Sequence, residues 1–227
     1  MKYENTLRAR FIERPNRFIA RVELKGRVET VHVKNTGRCR ELLLPGSEVV
    51  LLPAGNPVRK TRYDLVAVRK EGLGWVNIDS QAPNAAVREW LEKNPPPFAG
   101  ITRLRPEYPF GAGRADFYIE QGDRKILMEV KGCTLEIGGL GYFPDAPTER
   151  GVRHLQELAE AVGRGYECYI AFVVAIPGVR VVRPNVETHP AFGQALEAAL
   201  RAGVRQLTLP CRVGPDELVI EEAILSP

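Results

Sequence analysis

The sequence predicts two domains, an all-β barrel over residues 1–80 followed by a mixed α/β domain over residues 81–227. The length of 227 residues is comfortable for two small domains. Up to about residue 80 the chain reads as short strands separated by turns, and beyond it helical patterns alternate with strands. Hydrophobic residues make up 44% and charged residues 26%, the balance of a folded globular protein.

The first domain is predicted from runs rich in Val, Ile and Leu that often alternate with polar residues. The runs are RFIARVEL (17–24), GRVETVHVKN (26–35), SEVVLLPA (47–54) and RYDLVAVRK (62–70). The breaks between them are Gly26, Asn35-Thr36-Gly37, Pro45-Gly46, Asn56-Pro57 and Gly72-Leu73-Gly74. Short strands at this spacing suggest a small barrel or sandwich. An OB-like barrel fits the length, and such barrels often bind single strands or oligosaccharides.

The second domain begins with a helix, AAVREWLEKN (85–94), which Pro83-Asn84 opens and three prolines end. Three strands follow, with a Gly122-Asp123 turn between the last two: ITRLRPEYPF (101–110), RADFYIEQG (114–122) and RKILMEVKGCTL (124–135). A Gly-rich loop (136–147) leads into a helix (148–165) and a strand (166–176) that is apolar enough to be buried on both faces. A final helix (189–203) and two short strands close the chain. This order is the layout of the restriction-endonuclease-like α/β fold.

Charge and hydropathy indicate where the protein is located and what kind of partner it binds, but they do not identify its function. The net charge of +4 and pI of about 8.9 favour an anionic partner mildly. The longest apolar stretches, such as Ala171–Ile176, are too short to span a bilayer, and the first residues lack a secretory apolar segment. We therefore expect a cytoplasmic protein without a membrane partner. The four widely spaced cysteines argue against a zinc site and are expected to be free thiols in or near the core.

Basic residues are concentrated in two parts of the barrel. They are Arg8, Arg10, Arg14, Arg17 and Arg21 near the N-terminus, and Arg59, Lys60 and Arg62 further on. Two interpretations stay open, a solvated basic face or a surface that follows phosphates; in the second, Arg59, Lys60 and Arg62 bind nucleic acid.

The predicted catalytic centre consists of Asp116, Glu129 and Lys131. Alternate residues of a strand share a face, so Glu129 and Lys131 point the same way. The Gly-Asp turn can bring Asp116 of the preceding strand close to Glu129. Two carboxylates suit Mg²⁺ (or Mn²⁺), which takes oxygen ligands together with water and substrate phosphate. A nearby lysine can orient the attacking water or stabilise charge that develops on the phosphate.

The E-x-K pattern alone is weak, because it occurs roughly once by chance in a chain of this length. Carboxylate–lysine pairs across strands are also common surface salt bridges. Two features favour a nuclease site: the pattern lies within an apolar strand, and it occurs at the matching place in the order of elements.

Other residues are candidates around this centre. Glu89, on the preceding helix, could reach the metal through water or lie on a solvated helix face. Glu107 is a weak candidate. Thr148 can cap the helix that carries Arg150, Arg153 and His154, which are expected to contact phosphate or to be ordinary helix-surface residues, with Gln156 nearby.

Nearly the whole chain resembles the sugar fermentation stimulation protein family. The matching stretches are RFIARVEL, the turn at 35–37, LLLPGSEV, NPVRKTRYDLVAV, residues 76–79 and 82–84, RADF, MEVKGCTL, FPDAPTERGVRHLQEL and FVV. The resemblance implies an OB-fold domain, a restriction-endonuclease-like domain of the PD-(D/E)XK type, and DNA binding with a role in regulating genes for sugar use. The family's acidic and lysine positions fall on Asp116, Glu129 and Lys131, and its helix glutamate falls on Glu89. Gly132 stands where the family habitually has an asparagine.

Three hypotheses about function follow. The first is a metal-dependent nuclease acting on DNA, single-stranded or double-stranded, with RNA left open. The second is a DNA-binding regulator of sugar-utilisation genes without turnover, although no helix-turn-helix or zinc module is visible. The third and weakest is sugar binding by the barrel, since aromatic residues are only 7% of the chain. The sequence does not fix the oligomeric state, a homodimer being one option.

Overall fold

A computed structural model describes residues 1–35, 37–55, 58–111 and 113–226. Thr36, Asn56 and Pro57, which belong to predicted turns, lie outside the described residues. None of the helices in the described part of the chain is long and apolar enough to span a membrane.

The N-terminal domain is a closed five-stranded barrel. Its strands are β1 (Leu7–Asn16), β2 (Ile19–Leu24), β3 (Arg27–Val33), β4 (Glu48–Pro53) and β5 (Tyr63–Lys70). They pair in the order β3-β2-β1-β4-β5, and a parallel pairing of β3 with β5 closes the circle. A further strand, β6 (Gly74–Asn77), extends the sheet from β5. This confirms the predicted OB-like barrel.

Two of these strands were absent from the prediction. In β1 only Ala9 and Phe11 are buried. Exposed charged residues such as Arg8 and Arg10 surround them, so the sequence of this segment does not look like a strand. Strand β6 begins at Gly74, inside the predicted glycine break, and is only four residues long. Both strands form because neighbouring strands supply their hydrogen-bonding partners.

The C-terminal domain is a sheet with helices on both faces. Its helices are α1 (Ala82–Glu92), α2 (Glu149–Gly163) and α3 (Pro190–Arg201). Its strands are β7 (Arg103–Phe110), β8 (Gly113–Gln121), β9 (Arg124–Cys133), β10 (Leu135–Ile137), β11 (Leu140–Phe143), β12 (Glu167–Val174), β13 (Val182–Pro184), β14 (Arg205–Val213), β15 (Leu218–Ile220) and β16 (Ile224–Leu225). The main sheet has the order β15-β14-β12-β9-β8-β7, with β16 beside β14, and the strands β9, β12 and β14 are parallel.

The Gly-rich segment 136–147 is not the simple loop that the sequence predicts. Strands β10 and β11 form a hairpin there, and β11 pairs in parallel with β13, a strand that was not predicted. Gly138 and Gly139 adopt positive φ in the hairpin turn, which is why two glycines occur together. The predicted short strands at the end of the chain include β14, which is nine residues long.

Two large hydrophobic cores hold the molecule together, beside a small third cluster of Val50, Val66 and Ala67. One core packs between α1 and the main sheet and includes Trp90, Phe98 and Tyr169. The other is shared by the barrel and by the sheet face under α2 and α3, so that Val31 and Leu65 of the barrel belong to the same cluster as Leu127 and Leu155. The barrel and the α/β domain are therefore packed against each other through a continuous apolar interior.

The four cysteines are free and buried, as the sequence predicts. Burial raises the pKa of each thiol to about 12, for Cys39, Cys133, Cys168 and Cys211 alike. At neutral pH these thiols are protonated and contribute to packing.

Candidate active site

Strands β8 and β9 place two carboxylates side by side. The hairpin register runs from Gln121 opposite Arg124 to Phe117 opposite Met128, with the Gly122-Asp123 turn at its tip. One step beyond Phe117, Asp116 lies next to β9, and its Oδ2 accepts a hydrogen bond of 2.7 Å from the backbone N–H of Val130. The structure thus brings Asp116 to the neighbourhood of Glu129.

The alternation of β9 sets the direction of Glu129 and Lys131. Met128 and Val130 belong to the core beneath α1. Glu129 and Lys131 face the opposite side, towards α2, where Glu129 is only 4% exposed. A carboxylate so deeply buried needs charged or hydrogen-bonding partners.

Two basic side chains meet the same oxygen of Glu129. The Nζ of Lys131 lies 2.5 Å from Oε1, and Nδ1 of His154 on α2 is in contact with that Oε1 as well. Nε2 of His154 accepts a hydrogen bond of 3.1 Å from Nε of Arg150. In the tautomer that accepts from Arg150 at Nε2, Nδ1 carries the proton and donates to Glu129.

The two carboxyl groups differ in their electrostatic surroundings. For Glu129, burial favours the protonated form, but the hydrogen bond from His154 and the charge of Lys131 outweigh it and lower the pKa. For Asp116, burial and the nearby charge of Glu129 together raise the pKa, although Val130 N–H, Lys131 and Asn84 partly oppose them. Asp116 is thus the carboxylate whose negative charge is the less compensated of the two.

Asn84 is a site residue that the sequence analysis missed. It lies in the first turn of α1, and its side-chain amide donates a 2.8 Å hydrogen bond to Oδ1 of Asp116. Gly132 allows this approach, because a Cβ there would lie 2.8 Å from Cγ of Pro83. The sequence analysis placed Pro83-Asn84 at the start of the helix and residues 82–84 in a stretch shared with the family, and these were the available signals.

The N-terminus of α2 faces the same site. Thr148 caps the helix by accepting a 3.0 Å hydrogen bond from the N–H of Gly151. His189, at the start of α3, lies behind this turn and contacts Glu149 and the N–H of Thr148. Arg153 is exposed, as is Arg150, which contacts His154. A helix N-terminus with two arginines is suited to bind an anion such as phosphate.

Other predicted residues lie away from this cluster. Glu89 is half-exposed and pairs with the amino group of Met1 at 2.5 Å, so Asn84 is the α1 residue in contact with Asp116. Glu107 is exposed and pairs with Arg114. Gln156 is exposed on α2. The part of Glu89 in metal binding stays a prediction.

The barrel residues predicted to bind nucleic acid have different surroundings. Arg59 is engaged with the buried carboxylate of Asp64 at 2.7 Å. Arg62 pairs with Glu29 at 2.6 Å on the surface, and Lys60 is exposed. Of the three, Arg59 is already committed to an internal ion pair.

Asp116 and Glu129 are the side chains of this site that could hold a divalent cation. Within the described ranges, no group of three or more His, Cys, Asp and Glu side chains is arranged to hold a metal. Asp116 and Glu129 are two neighbouring carboxylates, and the charge of one raises the pKa of the other. A cation between them would relieve that repulsion. The pair fits Mg²⁺, which binds one or two carboxylates and keeps several waters, and not a closed zinc site.

Fold and site together define a class of protein, an OB barrel joined to a restriction-endonuclease-like α/β domain. The family model described as "SfsA N-terminal OB domain" matches residues 12–78, and that described as "Sugar fermentation stimulation protein RE domain" matches residues 81–217. The chain belongs to the sugar fermentation stimulation protein family, as the sequence analysis indicates.

Relatives and a solved structure agree with this assignment. A sugar fermentation stimulation protein homolog of Desulfitobacterium hafniense (strain DSM 10664 / DCB-2) is 51% identical over 96% of this chain and 94% of the relative. The homolog of Ruminiclostridium cellulolyticum is 50% identical over 99% of this chain and 98% of its own. The structure of Pyrococcus furiosus SfsA in complex with Ca²⁺ superposes with a TM-score of 0.87 at 30% identity, covering 99% of this chain and 96% of that chain.

Proposed function

We propose that this protein is a DNA-binding, divalent-metal-dependent nuclease that hydrolyses phosphodiester bonds in the cytoplasm. One observation carries the proposal: the buried Glu129 meets Lys131 and His154 while Asp116 stands beside it with its charge poorly compensated. Perturbed carboxylates next to a lysine are typical of catalytic sites. The Ca²⁺ bound by the Pyrococcus furiosus protein supports a cation site in this fold.

Each side chain has a role in this proposal. Asp116 and Glu129 hold Mg²⁺ or Mn²⁺, which when bound polarises the phosphodiester and lowers the pKa of a water. Lys131 orients the attacking water or stabilises charge that develops on the phosphate. His154 holds the carboxylate of Glu129 in place through Nδ1. Arg150 and Arg153 bind phosphate at the start of α2.

Cleavage assays with matched variants test the proposal. Purified protein is incubated with single- and double-stranded DNA and RNA in Mg²⁺, Mn²⁺ or EDTA. We expect metal-dependent cutting that falls about 100-fold or more in Asp116→Asn and in Lys131→Met, the scale seen when one group that stabilises the transition state is removed. Asp123→Asn, in an exposed turn, and Lys125→Met, exposed on β9, are the matched controls and should cut normally.

A regulator without turnover is the second candidate. The contact of Glu129 with both Lys131 and His154 favours it, because a buried carboxylate satisfied in this way also serves as a structural ion pair. Salt-sensitive DNA binding with no cutting by any variant in any metal would establish this candidate and refute the nuclease.

A further inference from the structure

A cavity of about 530 Å³ lies between the barrel and the α/β domain. Asn35 of the barrel and Ser80, just after the barrel, line one side of the cavity. Thr134, Tyr142 and Asp145 of the α/β domain line the other side. Its volume is in the range of small-molecule sites. It therefore has room for a ligand group that both domains contact.

The cavity wall contains chain neighbours of the candidate active-site residues. Pro83 in its wall precedes Asn84, which binds Asp116, and Gly132 follows Lys131. Thr148, also in the wall, caps the helix that carries Arg150 and His154. Pro83 and Gly132 are bonded directly to Asn84 and Lys131 of the candidate site, so the cavity is a place for the sugar and base attached to a phosphate held there.

The polarity of the wall favours a base over a phosphate. Asp145 contributes a carboxylate whose Oδ2 already accepts a 3.4 Å hydrogen bond from the N–H of Cys39. A carboxylate repels phosphate but has further lone pairs that can accept hydrogen bonds from base amino and imino groups. Ser80, Thr134 and Tyr142 add hydroxyl groups that can donate or accept. A second carboxylate, Asp79, is already paired with Lys34 at 3.0 Å.

A basic groove on the barrel continues from this cavity. Its volume is about 640 Å³, and Arg17, Gly37 and Ala146 line both spaces. Arg38 and Arg40 bring further positive charge, over an apolar floor that includes Leu43. Such a combination of cations and apolar surface suits the backbone and bases of a single strand.

Arg14 holds the shape of this groove. Its guanidinium donates hydrogen bonds of 2.6 to 3.0 Å to the backbone carbonyls of Arg17, Asn35, Gly37 and Arg38. Because these hydrogen bonds occupy the guanidinium of Arg14, the side chains that can bind phosphate in the groove are Arg17, Arg38 and Arg40.

We propose that the interdomain cavity binds one unpaired nucleotide of a single strand, next to the phosphodiester held at Asp116 and Glu129, while the basic groove holds the strand beyond it. A base paired within a duplex would have to leave its stack to enter. The substrate class is therefore single-stranded or locally unpaired nucleic acid. This inference rests on the proposed function for the position of the phosphate, but its binding part needs no turnover.

Binding in EDTA separates this inference from the proposed activity. Fluorescence anisotropy would compare a 12-nucleotide single strand with a 12-base-pair blunt hairpin, each fluorescein-labelled. We expect the single strand to bind at least 10-fold more tightly. Ser80→Trp, at an exposed position of the wall, and Thr134→Trp fill the cavity and should reduce that preference to less than 3-fold. The control Thr30→Trp, at an exposed position of β3, should not change the preference.

A second measurement examines the groove. Arg17→Ala should weaken single-strand binding about 10-fold, and Arg201→Ala, on α3, should leave it unchanged. A strand carrying 2-aminopurine should change its fluorescence on binding, because the base leaves its neighbours. Equal affinity for both probes, or a preference that survives in folded Ser80→Trp and Thr134→Trp, would overturn the inference even if the protein cuts DNA. Loss of cutting with the preference intact would refute only the nuclease.

Discussion

At the scale of single residues, the two carboxylates of the site have unequal partners. Oε1 of Glu129 is shared by Lys131 and His154, whereas the partners of Asp116 are the amide of Asn84 and the N–H of Val130, both uncharged. The charge of Glu129 raises the pKa of Asp116, after the larger effect of burial. In the proposed function, a divalent cation would be favoured at Asp116 because it relieves the repulsion between the two carboxylates.

Cation binding should stabilise the fold through Asp116. At a concentration about 100 times its Kd, Mg²⁺ or Ca²⁺ adds about 2.7 kcal/mol to the free energy of unfolding, or roughly 5 °C or more in Tm. Differential scanning fluorimetry should show this rise in the wild type and in Asp123→Asn but not in Asp116→Asn. An equal rise in Asp116→Asn would place the cation elsewhere.

The sequence predicted the site in part. Strand alternation and the Gly122-Asp123 turn were enough to bring Asp116, Glu129 and Lys131 together, because both are local effects. The contact of Asn84 with Asp116 and that of His154 with Glu129 depend on how α1 and α2 pack across the sheet. The partners in these two contacts are 32 and 25 residues apart in the sequence, so no local sequence pattern predicts that they meet.

At the scale of elements, the first turn of α2 connects packing with the proposed phosphate site. The hydroxyl of Thr148 fixes where the helix begins and so where its free N–H groups point. A Pro signal for α1 and a Thr signal for α2 placed these helices to within a few residues, and the predicted final helix (189–203) matches α3 equally closely. Strands β1, β6, β10, β11 and β13 were missed because they have few buried residues and are defined by their partners.

Removing this cap should destabilise the protein modestly. Thr148→Ala leaves the N–H of Gly151 without its acceptor, at a cost of about 1 kcal/mol in the free energy of unfolding. Urea denaturation followed by circular dichroism measures the difference. Thr148→Ser keeps the hydroxyl and should lose less stability than Thr148→Ala. The control Thr30→Ala, at an exposed position of β3, should change the free energy of unfolding little. Equal losses in Thr148→Ala and Thr148→Ser would show that the methyl group matters and the cap does not.

At the scale of the whole molecule, the barrel and the α/β domain share one hydrophobic core. Leu65 of the barrel and Leu127 of the sheet are both fully buried in it. The backbone N–H of Asn77 in β6 donates to the carbonyl of Ala175 at 3.1 Å, and Lys70 pairs with Glu136 at 2.8 Å. The sequence indicates an all-β region and an α/β region from their different residue patterns. It could not show that the hydrophobic cores of the two domains are continuous.

Unfolding should therefore occur as a single transition. Differential scanning calorimetry should give one peak with equal calorimetric and van't Hoff enthalpies. Leu65→Ala should lower the stability of the whole chain by about 2–5 kcal/mol without splitting the peak, and Leu44→Ala, at a side chain that is 54% exposed, should have little effect. Two separate peaks, with only one shifted by Leu65→Ala, would mean that the domains unfold independently.

The burial of all four cysteines has a practical consequence for measuring motion between the domains. Thiols with a pKa near 12 are almost entirely protonated at pH 7, and only the thiolate reacts with maleimides at a useful rate. New cysteines placed at Thr30, at an exposed position of β3, and at Asp123, in the β8–β9 turn, can be labelled without replacing the native ones. A donor and an acceptor dye at these two positions would measure the separation of the barrel from the main sheet of the α/β domain, with and without an added single strand.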